Sequence, residues 1–383
     1  MKVKFEVPFN GDVRLIEAYK EHKDRIFAVY GRAEDSYPQG RNTSKTEPIS
    51  MRKITEITTD LEKKGIGFNY LLNGNCHGNR EFNQSYRRKF INFVKELKSR
   101  GIYGVTISNL FLMETVRENV PDIKIFASVL LEIDNLTRLE QINKAGAGYV
   151  TLSKTLLKNF EGLKNIVKFK PKETKLILLA NDPCLHNCTY TNYHNNVLSH
   201  FTSEGGEYVN YCRLHCNQEF AKDSRKVISA SFIRPEDIGA YRNIGFDLFK
   251  LCERKQTTPW NINVLEAYVQ GSYDGNLADL MAPWSNIGSK YPSSEVISKE
   301  DLREKGFDRL RHNLRFEPSI NNKALDGYLY FWTEVKRNGC ANESCDACNY
   351  CSEIAKKAYL PNEDRNSKIV ENTDIALKFA RGI

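Results

Sequence analysis

The sequence predicts an α/β fold: a closed, TIM-like (β/α)8 barrel followed by a small, cysteine-rich and mainly helical C-terminal domain. Three observations lead to this prediction. Short apolar, β-rich runs recur eight times, and amphipathic stretches follow most of them. No glycine-rich phosphate loop follows the first run, which disfavours the runner-up, an open doubly wound sheet. The alternation stops near residue 275, and four closely spaced cysteines come later in the chain.

The eight runs are rich in the β-branched and aromatic residues that favour buried parallel strands. We predict strands at residues 3–7, 26–30, 67–72, 103–108, 123–128, 148–152, 175–180 and 247–251. Residues 87–101 and 136–146 have helical apolar spacing, and the second stretch ends in a glycine, as helices often do. A ninth run at 226–232 is interpreted as part of an excursion between the seventh and eighth strands.

The chain therefore divides into two predicted parts. Residues 1–275 form the barrel, with a cysteine-rich excursion at 181–225. Residues 276–383 form an extension in which a helix near 326–337 precedes a metal-binding motif.

Composition leaves several function classes open. The chain has 56 Lys and Arg against 48 Asp and Glu, a net charge of +8, which permits an RNA or an anionic small substrate without requiring either. No apolar run is long enough for a secretory signal or a membrane span, which predicts a cytoplasmic protein. In that compartment, clustered cysteines are more often metal ligands or catalytic groups than disulfides.

The first cysteine set is Cys184, Cys188, Cys212 and Cys216, two pairs with the same spacing. Cys184 ends the seventh predicted strand, and barrel active sites lie at the carboxyl ends of the strands. Four thiols complete the ligand set of one [4Fe–4S] cluster, with zinc or unligated thiols as alternatives. A radical S-adenosylmethionine motif is disfavoured, because residue 191 is a threonine where that motif has its third cysteine.

The second set is Cys340, Cys345, Cys348 and Cys351. Its C-x₂-C-x₂-C run is similar to a ferredoxin loop, which predicts a second [4Fe–4S] cluster or a zinc ion. The two remaining cysteines, Cys76 and Cys252, are interpreted as ordinary buried thiols. For Cys252 a functional role stays open, because Glu253 and Arg254 follow it at a strand end.

Polar residues at the predicted strand ends are the candidates for the rest of the site. Asn10, Asn73 and Tyr193 are candidate substrate-binding residues. Arg32 and Arg254 are candidates to hold an anionic group by paired hydrogen bonds, although structural ion pairs would explain them equally well. Candidate catalytic residues are Arg32, Arg254, Glu253 and, for proton transfer, His194.

Four segments resemble the collagenase-like peptidase family U32 over roughly residues 1–270. They are the opening "FEVPFNGDVRLIEAY", the central strands from "YGVTISN" to "GAGYVTLS", the cysteine segment from "NDPCLHNC" to "YCRLHC", and the stretch from "RPEDIGAY" to "KLCERKQ". In the last, the family has Lys-x-Glu-Gly-Arg where this chain has Lys250, Leu251, Cys252, Glu253 and Arg254, which puts any role of Glu253 in doubt. The C-terminal cysteine segment has no counterpart in this resemblance.

The resemblance implies an oxygen-independent hydroxylation enzyme with a [4Fe–4S] cluster on Cys184, Cys188, Cys212 and Cys216. Such proteins act on nucleobases in RNA or on quinone precursors, some take the new oxygen from prephenate, and some work as pairs of related chains. The expected partners are a small-molecule, nucleobase or peptide substrate, an electron donor and a related partner chain.

Two other function classes stay open. A peptidase needs a nucleophile–base pair or a catalytic metal, and no H-E-x-x-H or nucleophile motif is visible. A non-catalytic RNA-binding protein would explain the basic charge but not two cysteine sets. The sequence therefore favours an Fe–S-dependent oxidoreductase or hydroxylase.

Overall fold

Eight parallel strands close into a barrel in the computed structural model, which describes residues 2–33, 37, 49–206, 209–284, 295–340 and 344–383. Each strand pairs with its neighbours in chain order, and β8 pairs with β1. The strands are β1 (Lys4–Pro8), β2 (Ile26–Gly31), β3 (Gly67–Leu72), β4 (Gly104–Ile107), β5 (Lys124–Ala127), β6 (Tyr149–Thr151), β7 (Lys175–Leu179) and β8 (Leu248–Lys250). The predicted (β/α)8 barrel is confirmed, and each predicted strand overlaps an observed one.

Helices surround the barrel and continue into the C-terminal region. They are α1 (Val13–Glu21), α2 (Met51–Glu62), α3 (Gln84–Ser99), α4 (Leu110–Asn119), α5 (Leu136–Lys144), α6 (Phe160–Phe169), α7 (Thr191–Glu204), α8 (Tyr211–Lys222), α9 (Ser224–Ser229), α10 (Ile238–Asn243), α11 (Thr258–Gln270), α12 (Lys299–Arg309), α13 (Cys345–Cys348), α14 (Tyr350–Ala358) and α15 (Glu363–Ala380). None of the described helices is long and apolar enough to cross a membrane.

Polar caps fix where the barrel helices begin. In each of the first six helices, a side chain just before the first turn accepts a hydrogen bond from a first-turn backbone N–H. These caps are Asp12, Ser50, Asn83, Asn109, Asn135 and Asn159. Because Asn109 lies only two residues beyond β4, its cap starts α4 directly above the strand end.

The ninth apolar run, 226–232, is not a barrel strand, as predicted. Its first residues belong to α9, and the chain then runs beside the end of β7. There the N–H of Ser231 donates to the Cys184 carbonyl at 2.9 Å, and that of Ile233 donates to the Ala180 carbonyl at 2.9 Å. The excursion therefore extends past the predicted limit of residue 225.

The predicted helix near 326–337 is mostly wrong. Residues Phe331–Val335 form one turn of π-helix, and Gly327, at φ +79°, precedes it in a left-handed conformation that interrupts a regular helix. This segment packs inward, since Trp332 and Tyr328 belong to the same buried apolar cluster as the barrel. The extension thus shares the barrel's core. A smaller core, which includes Leu214 of α8 and Leu377 of α15, joins the extension to the excursion.

A buried polar network crosses the inside of the barrel near its mouth. Glu6 of β1 is fully buried, and its carboxylate accepts from Lys250 Nζ at 2.7 Å and from Asn69 Nδ2 at 2.5 Å. Asn69 in turn accepts from the Thr106 hydroxyl at 3.1 Å. The Lys250 ammonium also lies 3.8 Å from the ring centroid of Tyr30. The network joins strands β1, β3, β4 and β8 and holds Lys250 at the mouth.

We expect Lys250→Met to lower the free energy of unfolding by about 3–5 kcal/mol, because it leaves the Glu6 carboxylate buried without its cation. Chemical denaturation measures this change, with the exposed strand lysine variant Lys175→Met as a matched control. The double variant Glu6→Gln/Lys250→Met removes both charges and should recover part of the loss. A Lys250→Met protein as stable as the control would contradict the interpretation of this pair.

Candidate functional site

Asn181, two residues beyond β7, fixes the point where the cysteine excursion leaves the barrel. Its buried side chain accepts from the Cys252 N–H at 2.6 Å and donates to the carbonyls of Cys252 and Leu280 at 2.7 and 3.0 Å. Its backbone carbonyl accepts from the N–H of Ala282 at 2.9 Å. One amide therefore joins the end of β7, the end of β8 and the start of the C-terminal extension.

The first cysteine set lies on this excursion. Cys184 and Cys188 are in the loop between β7 and α7, whereas Cys212 and Cys216 are four residues apart on α8. That spacing places both α8 thiols on one face of the helix. The Leu185 N–H donates to the Cys216 thiol, which brings the loop and the helix face together.

Burial disfavours thiolate formation in this set. It raises the pKa of Cys216 to about 12 and that of Cys212 to about 11, and it also raises the pKa of Cys188. Neighbouring sulfurs add to these shifts, since Cys184 and Cys188 act on Cys216, Cys184 acts on Cys188, and Cys188 acts on Cys212. Cys188, Cys212 and Cys216 therefore need nearby positive charge to ionise readily, and a metal ion is one possible source of it.

Lys154 connects Cys184 with the barrel mouth. This residue follows β6, and its ammonium lies 2.7 Å from the Cys184 sulfur and 3.0 Å from the Asp182 carboxylate. Asp182 lines the mouth of the barrel. The contacts thus run from the mouth through Asp182 and Lys154 to the first cysteine of the set.

The second cysteine set also gathers in one place. Cys345 and Cys348 lie on the one-turn helix α13, and Cys351 follows on α14 after Asn349, whose φ of +54° turns the chain. Burial raises the pKa of Cys351 to about 11, and the other three thiols of the set also raise it. The Trp332 indole N–H donates to the sulfur of Cys340 at 3.3 Å.

Both cysteine sets face one cavity of about 440 Å³, which we call the cysteine cavity. Residues of the loop before α7, of α8 and α9, and of the C-terminal region form its walls. Seven of the eight predicted metal ligands line it: Cys188, Cys212, Cys216, Cys340, Cys345, Cys348 and Cys351. The sequence predicted two separate sites, whereas the structure places them on facing walls of the same space.

Lys158 supplies a buried positive charge to this cavity. The side chain is 2% exposed, and its ammonium donates to the carbonyls of Ile228 and Ala230 at 2.7 and 3.0 Å. The ammonium also lies 4.6 Å from the ring centroid of Trp332. Burial lowers the pKa of Lys158 to about 8, and the thiols of Cys351 and Cys340 oppose that shift. A cation beside these thiols favours their ionised form, which suits an anionic thiolate–metal centre.

Within the described residues, no three His, Cys, Asp or Glu side chains come close enough together to bind one metal ion. A four-iron cluster is larger than a single ion, and its four ligands stand further apart around it. The cavity gives each cysteine set room for such a group. Convergence of each set on one metal centre stays a prediction.

The barrel mouth is a separate and much smaller cavity of about 80 Å³. Three predicted residues line it, namely Asn73, Glu253 and Arg254, together with Lys250 and Cys252. Ligand pockets are usually several times larger, so a substrate at this mouth has to displace part of its wall. The buried Asn73 Oδ1 has no hydrogen-bond partner among the described residues, which makes it available to a ligand.

Four predicted site residues do not line the mouth. The Arg32 guanidinium donates to the carbonyls of Ala33 and Tyr37 at 3.1 and 3.3 Å. Asn10 is similarly engaged, since it donates to the Gln256 carbonyl and the Thr258 hydroxyl, both at 3.1 Å. His194 lies on α7 outside the three main cavities. Tyr193, 54% exposed, lines a third cavity between α7 and the loop after β3.

Sequence reasoning missed three lysines that the structure places at these sites. Lys154 and Lys250 lie at or just beyond the carboxyl ends of predicted strands, where barrel site residues are expected, so the sequence could have indicated them. Nothing in the sequence indicated Lys158, because it lies within a 3-10 helix, Lys154–Lys158, that follows β6. Its burial depends on packing against α9 and the C-terminal region, which no local pattern indicates.

We expect Lys158→Met to lower the free energy of unfolding by about 1–3 kcal/mol, because two buried carbonyls lose their donor. It should also weaken metal retention by the second cysteine set, since the cation beside Cys351 is lost. Thermal unfolding and iron content after anaerobic gel filtration measure the two effects, with the exposed Lys172→Met as control. Unchanged stability and iron content would contradict this role of Lys158.

Comparison with known proteins gives one family match. The model of "Peptidase family U32" matches residues 40–222, which include the first cysteine set, and the resemblance seen in the sequence is thereby confirmed. A curated relative, "Uncharacterized protease MJ1657" of Methanocaldococcus jannaschii, is 23% identical over 347 residues, 90% of this chain and 92% of the relative.

Among solved structures, the U32 peptidase Mk0906 is similar to this chain. The match has a TM-score of 0.49 at 14% identity and covers 66% of this chain and 93% of that one. The barrel assignment itself follows from the strand pairing described above.

Proposed function

Because this chain is related to peptidase family U32, we propose that it is an iron–sulfur enzyme that performs a redox reaction, of the oxygen-independent hydroxylation type, on a small substrate at the barrel mouth. One observation carries the proposal: seven of the eight cysteines in the two sets line one cavity, and polar contacts lead from the eighth, Cys184, to the mouth. A reducing, cytoplasmic compartment suits ten cysteines that form no disulfide bond with one another.

Cys184, Cys188, Cys212 and Cys216 would hold a [4Fe–4S] cluster, which supplies one-electron redox chemistry when bound. The surrounding residues stabilise thiolate charge. The N–H groups of Leu185 and Tyr190 face the sulfurs of Cys216 and Cys188. Such hydrogen bonds are among the factors that set a cluster's reduction potential.

Lys154 would tune the same centre from the substrate side. Its ammonium contacts both the Cys184 sulfur and the Asp182 carboxylate, so it lies between the ligand and the mouth. A positive charge there stabilises the reduced, more negative state. Asp182 lines the mouth, and Lys154 contacts both the Asp182 carboxylate and the Cys184 sulfur. A charge that develops in the mouth would therefore act on the metal centre through these two residues.

The second cysteine set would serve as the entry point for electrons. Cys345 is exposed, whereas Cys212 of the first set is buried. An external electron donor would therefore meet the second set first. Cysteines of both sets line the same cavity, so electrons would have a short path from the second set to the first. Zinc at the second set is the alternative, in which case that set only stabilises the fold.

The mouth residues define the substrate class. Arg254 would attract an anionic group, while Asn73 Oδ1 and the Glu253 carboxylate would accept hydrogen bonds. Small aromatic acids and nucleobases present such groups. No histidine lies among the described residues that line the mouth, so a hydrolytic reaction there would lack the usual base.

A peptidase is the second candidate, because the curated relative is named as a protease. It requires a nucleophile outside the mouth and the cysteine cavity. An RNA-binding role alone would leave both cysteine sets unexplained. Small peptides and a related partner chain remain candidate partners of the proposed enzyme.

We expect about eight irons per chain after anaerobic purification, four for each cluster. Cys216→Ala should remove the iron of the first set and Cys351→Ala that of the second, each leaving about half. Cys76→Ser, outside both sets, is the matched control and should keep all the iron. A protein with about four irons and one zinc per chain, in which Cys351→Ala removes the zinc, would instead establish the second set as a structural zinc site.

We expect Cys184→Ala to abolish turnover of a mouth-binding substrate, because the metal centre nearest the mouth is lost. Lys154→Met should keep the iron but lower the midpoint potential of the first centre, since a nearby positive charge is removed. Anaerobic redox titration monitored by electron paramagnetic resonance measures that potential. Full turnover by a Cys184→Ala protein without the first centre would rule out the redox assignment.

A further inference from the structure

A thiol and an imidazole meet in the third cavity, away from both cysteine sets. The cavity has a volume of about 490 Å³ and lies between the loop after β3 and helix α7. The Cys76 sulfur comes from the loop, and His200 Nδ1 comes from the helix, 3.4 Å away. These residues are 124 positions apart in the chain, and both line the cavity.

The fold holds this pair in place through the residue before the histidine. The buried Ser199 hydroxyl accepts from the Cys76 N–H at 2.8 Å and donates to the Cys76 carbonyl at 3.2 Å. One turn of α7 thus fixes the backbone of the thiol residue and also carries its imidazole partner. The Gly78 N–H points at the Cys76 sulfur at 3.4 Å, a contact that favours the thiolate.

Glu204 stands one turn beyond His200 on α7. Its carboxylate packs so closely on Gly78 that a side chain at that position would overlap it, and Arg80 holds it at 3.3 Å. The Ser203 hydroxyl chiefly, and then the charges of Arg80 and His200, lower the pKa of Glu204. Glu204 is therefore an anion that can orient and stabilise a protonated His200.

Three buried polar atoms of residues that line the same cavity have no hydrogen-bond partner among the described residues. They are Oδ1 of Asn75, Nε2 of His77, a residue 1% exposed, and Oε2 of Glu81, a residue 7% exposed. His77 Nδ1 already bonds the Tyr86 hydroxyl at 2.8 Å. Burial lowers the pKa of His77 to about 4, against opposing effects of Glu81 and the Gly74 carbonyl, so its ring is neutral near pH 7.

We propose that Cys76 and His200 form a nucleophile–base pair for acyl transfer from an ester or amide, at a site separate from the barrel mouth and from the cysteine cavity. His200 Nδ1 takes the thiol proton, and Cys76 Sγ attacks the carbonyl carbon. The leaving alcohol or amine takes the proton from His200, which leaves a thioester on Cys76. Water then attacks the thioester with His200 as base, which releases the acid and restores the thiol.

This site differs from the metal-binding thiols in its surroundings. Cys76 is partly exposed. The charged residues Glu204, Arg80 and Glu81, from the loop and from α7, lie around the pair, together with the neutral His77. The inference does not depend on the proposed redox function, because no cysteine of either metal set takes part.

The pair can be tested by the reactivity of Cys76 in the full-length, anaerobically purified protein. Iodoacetamide is the first probe, with alkylation of each cysteine followed by peptide mass spectrometry across pH. Paired with His200, Cys76 should stay reactive below pH 7, and His200→Asn should lower its alkylation rate at about pH 6.5 by roughly tenfold or more. His200→Gln is a second variant should the first be unstable, and His22→Asn is the matched control.

The second probe is p-nitrophenyl acetate. We expect a rapid release of one equivalent of nitrophenolate with an acetyl group on Cys76, followed by slow turnover that Cys76→Ser and His200→Asn abolish. Iron content is measured in parallel and should not change in any of these variants.

Three outcomes would overturn the inference. Alkylation of Cys76 with the pH profile of an ordinary thiol, unaffected by His200→Asn, would show that the two side chains are neighbours only. Nitrophenolate release that survives Cys76→Ser would place the activity elsewhere. A bound metal that Cys76→Ser removes, with alkylation rising after chelation, would make Cys76 and His200 metal ligands.

Discussion

The hydrogen bonds of Asn181 are the constraint on which the rest of the structure depends. Parallel strands at a barrel mouth leave their last backbone groups without partners, and those groups must be satisfied where the chain departs. The buried Asn181 amide, just beyond β7, forms hydrogen bonds with the backbone N–H and carbonyl of Cys252, just beyond β8. It also donates to the Leu280 carbonyl of the extension. The long excursion, the mouth residues that follow β8 and the C-terminal region therefore keep fixed positions relative to one another.

The cysteine cavity follows from that arrangement. The excursion supplies one part of its wall, and the extension supplies another. Each cysteine set is therefore enclosed only when both segments are in place. Lys158 reaches between them from the barrel, bonded to carbonyls of the excursion and stacked on Trp332 of the extension. The thiols of Cys351 and Cys340, both in the extension, raise the pKa of its ammonium.

The same chain uses thiols in two different environments. In the cysteine cavity, burial and neighbouring sulfurs raise the pKa of Cys212, Cys216 and Cys351, so these thiols resist ionisation. Cys76 instead sits in an open cavity beside His200, with a backbone N–H aimed at its sulfur. Burial and nearby charge, rather than the residue type, decide how readily a thiol ionises.

The sequence by itself determined the barrel, because hydrophobic runs alternating with amphipathic helices leave few other ways to bury their apolar faces. It also determined the two cysteine sets, since their spacing is local, and the mouth positions of Asn73, Glu253 and Arg254. Only the tertiary structure decided that the two sets face one cavity, that Arg32 and Asn10 are engaged by nearby polar groups, and that Cys76, which the sequence suggested was an ordinary buried thiol, meets His200. The reason is physical: each of these depends on contacts between segments more than a hundred residues apart or on the direction of a side chain, and local periodicity carries no information on either.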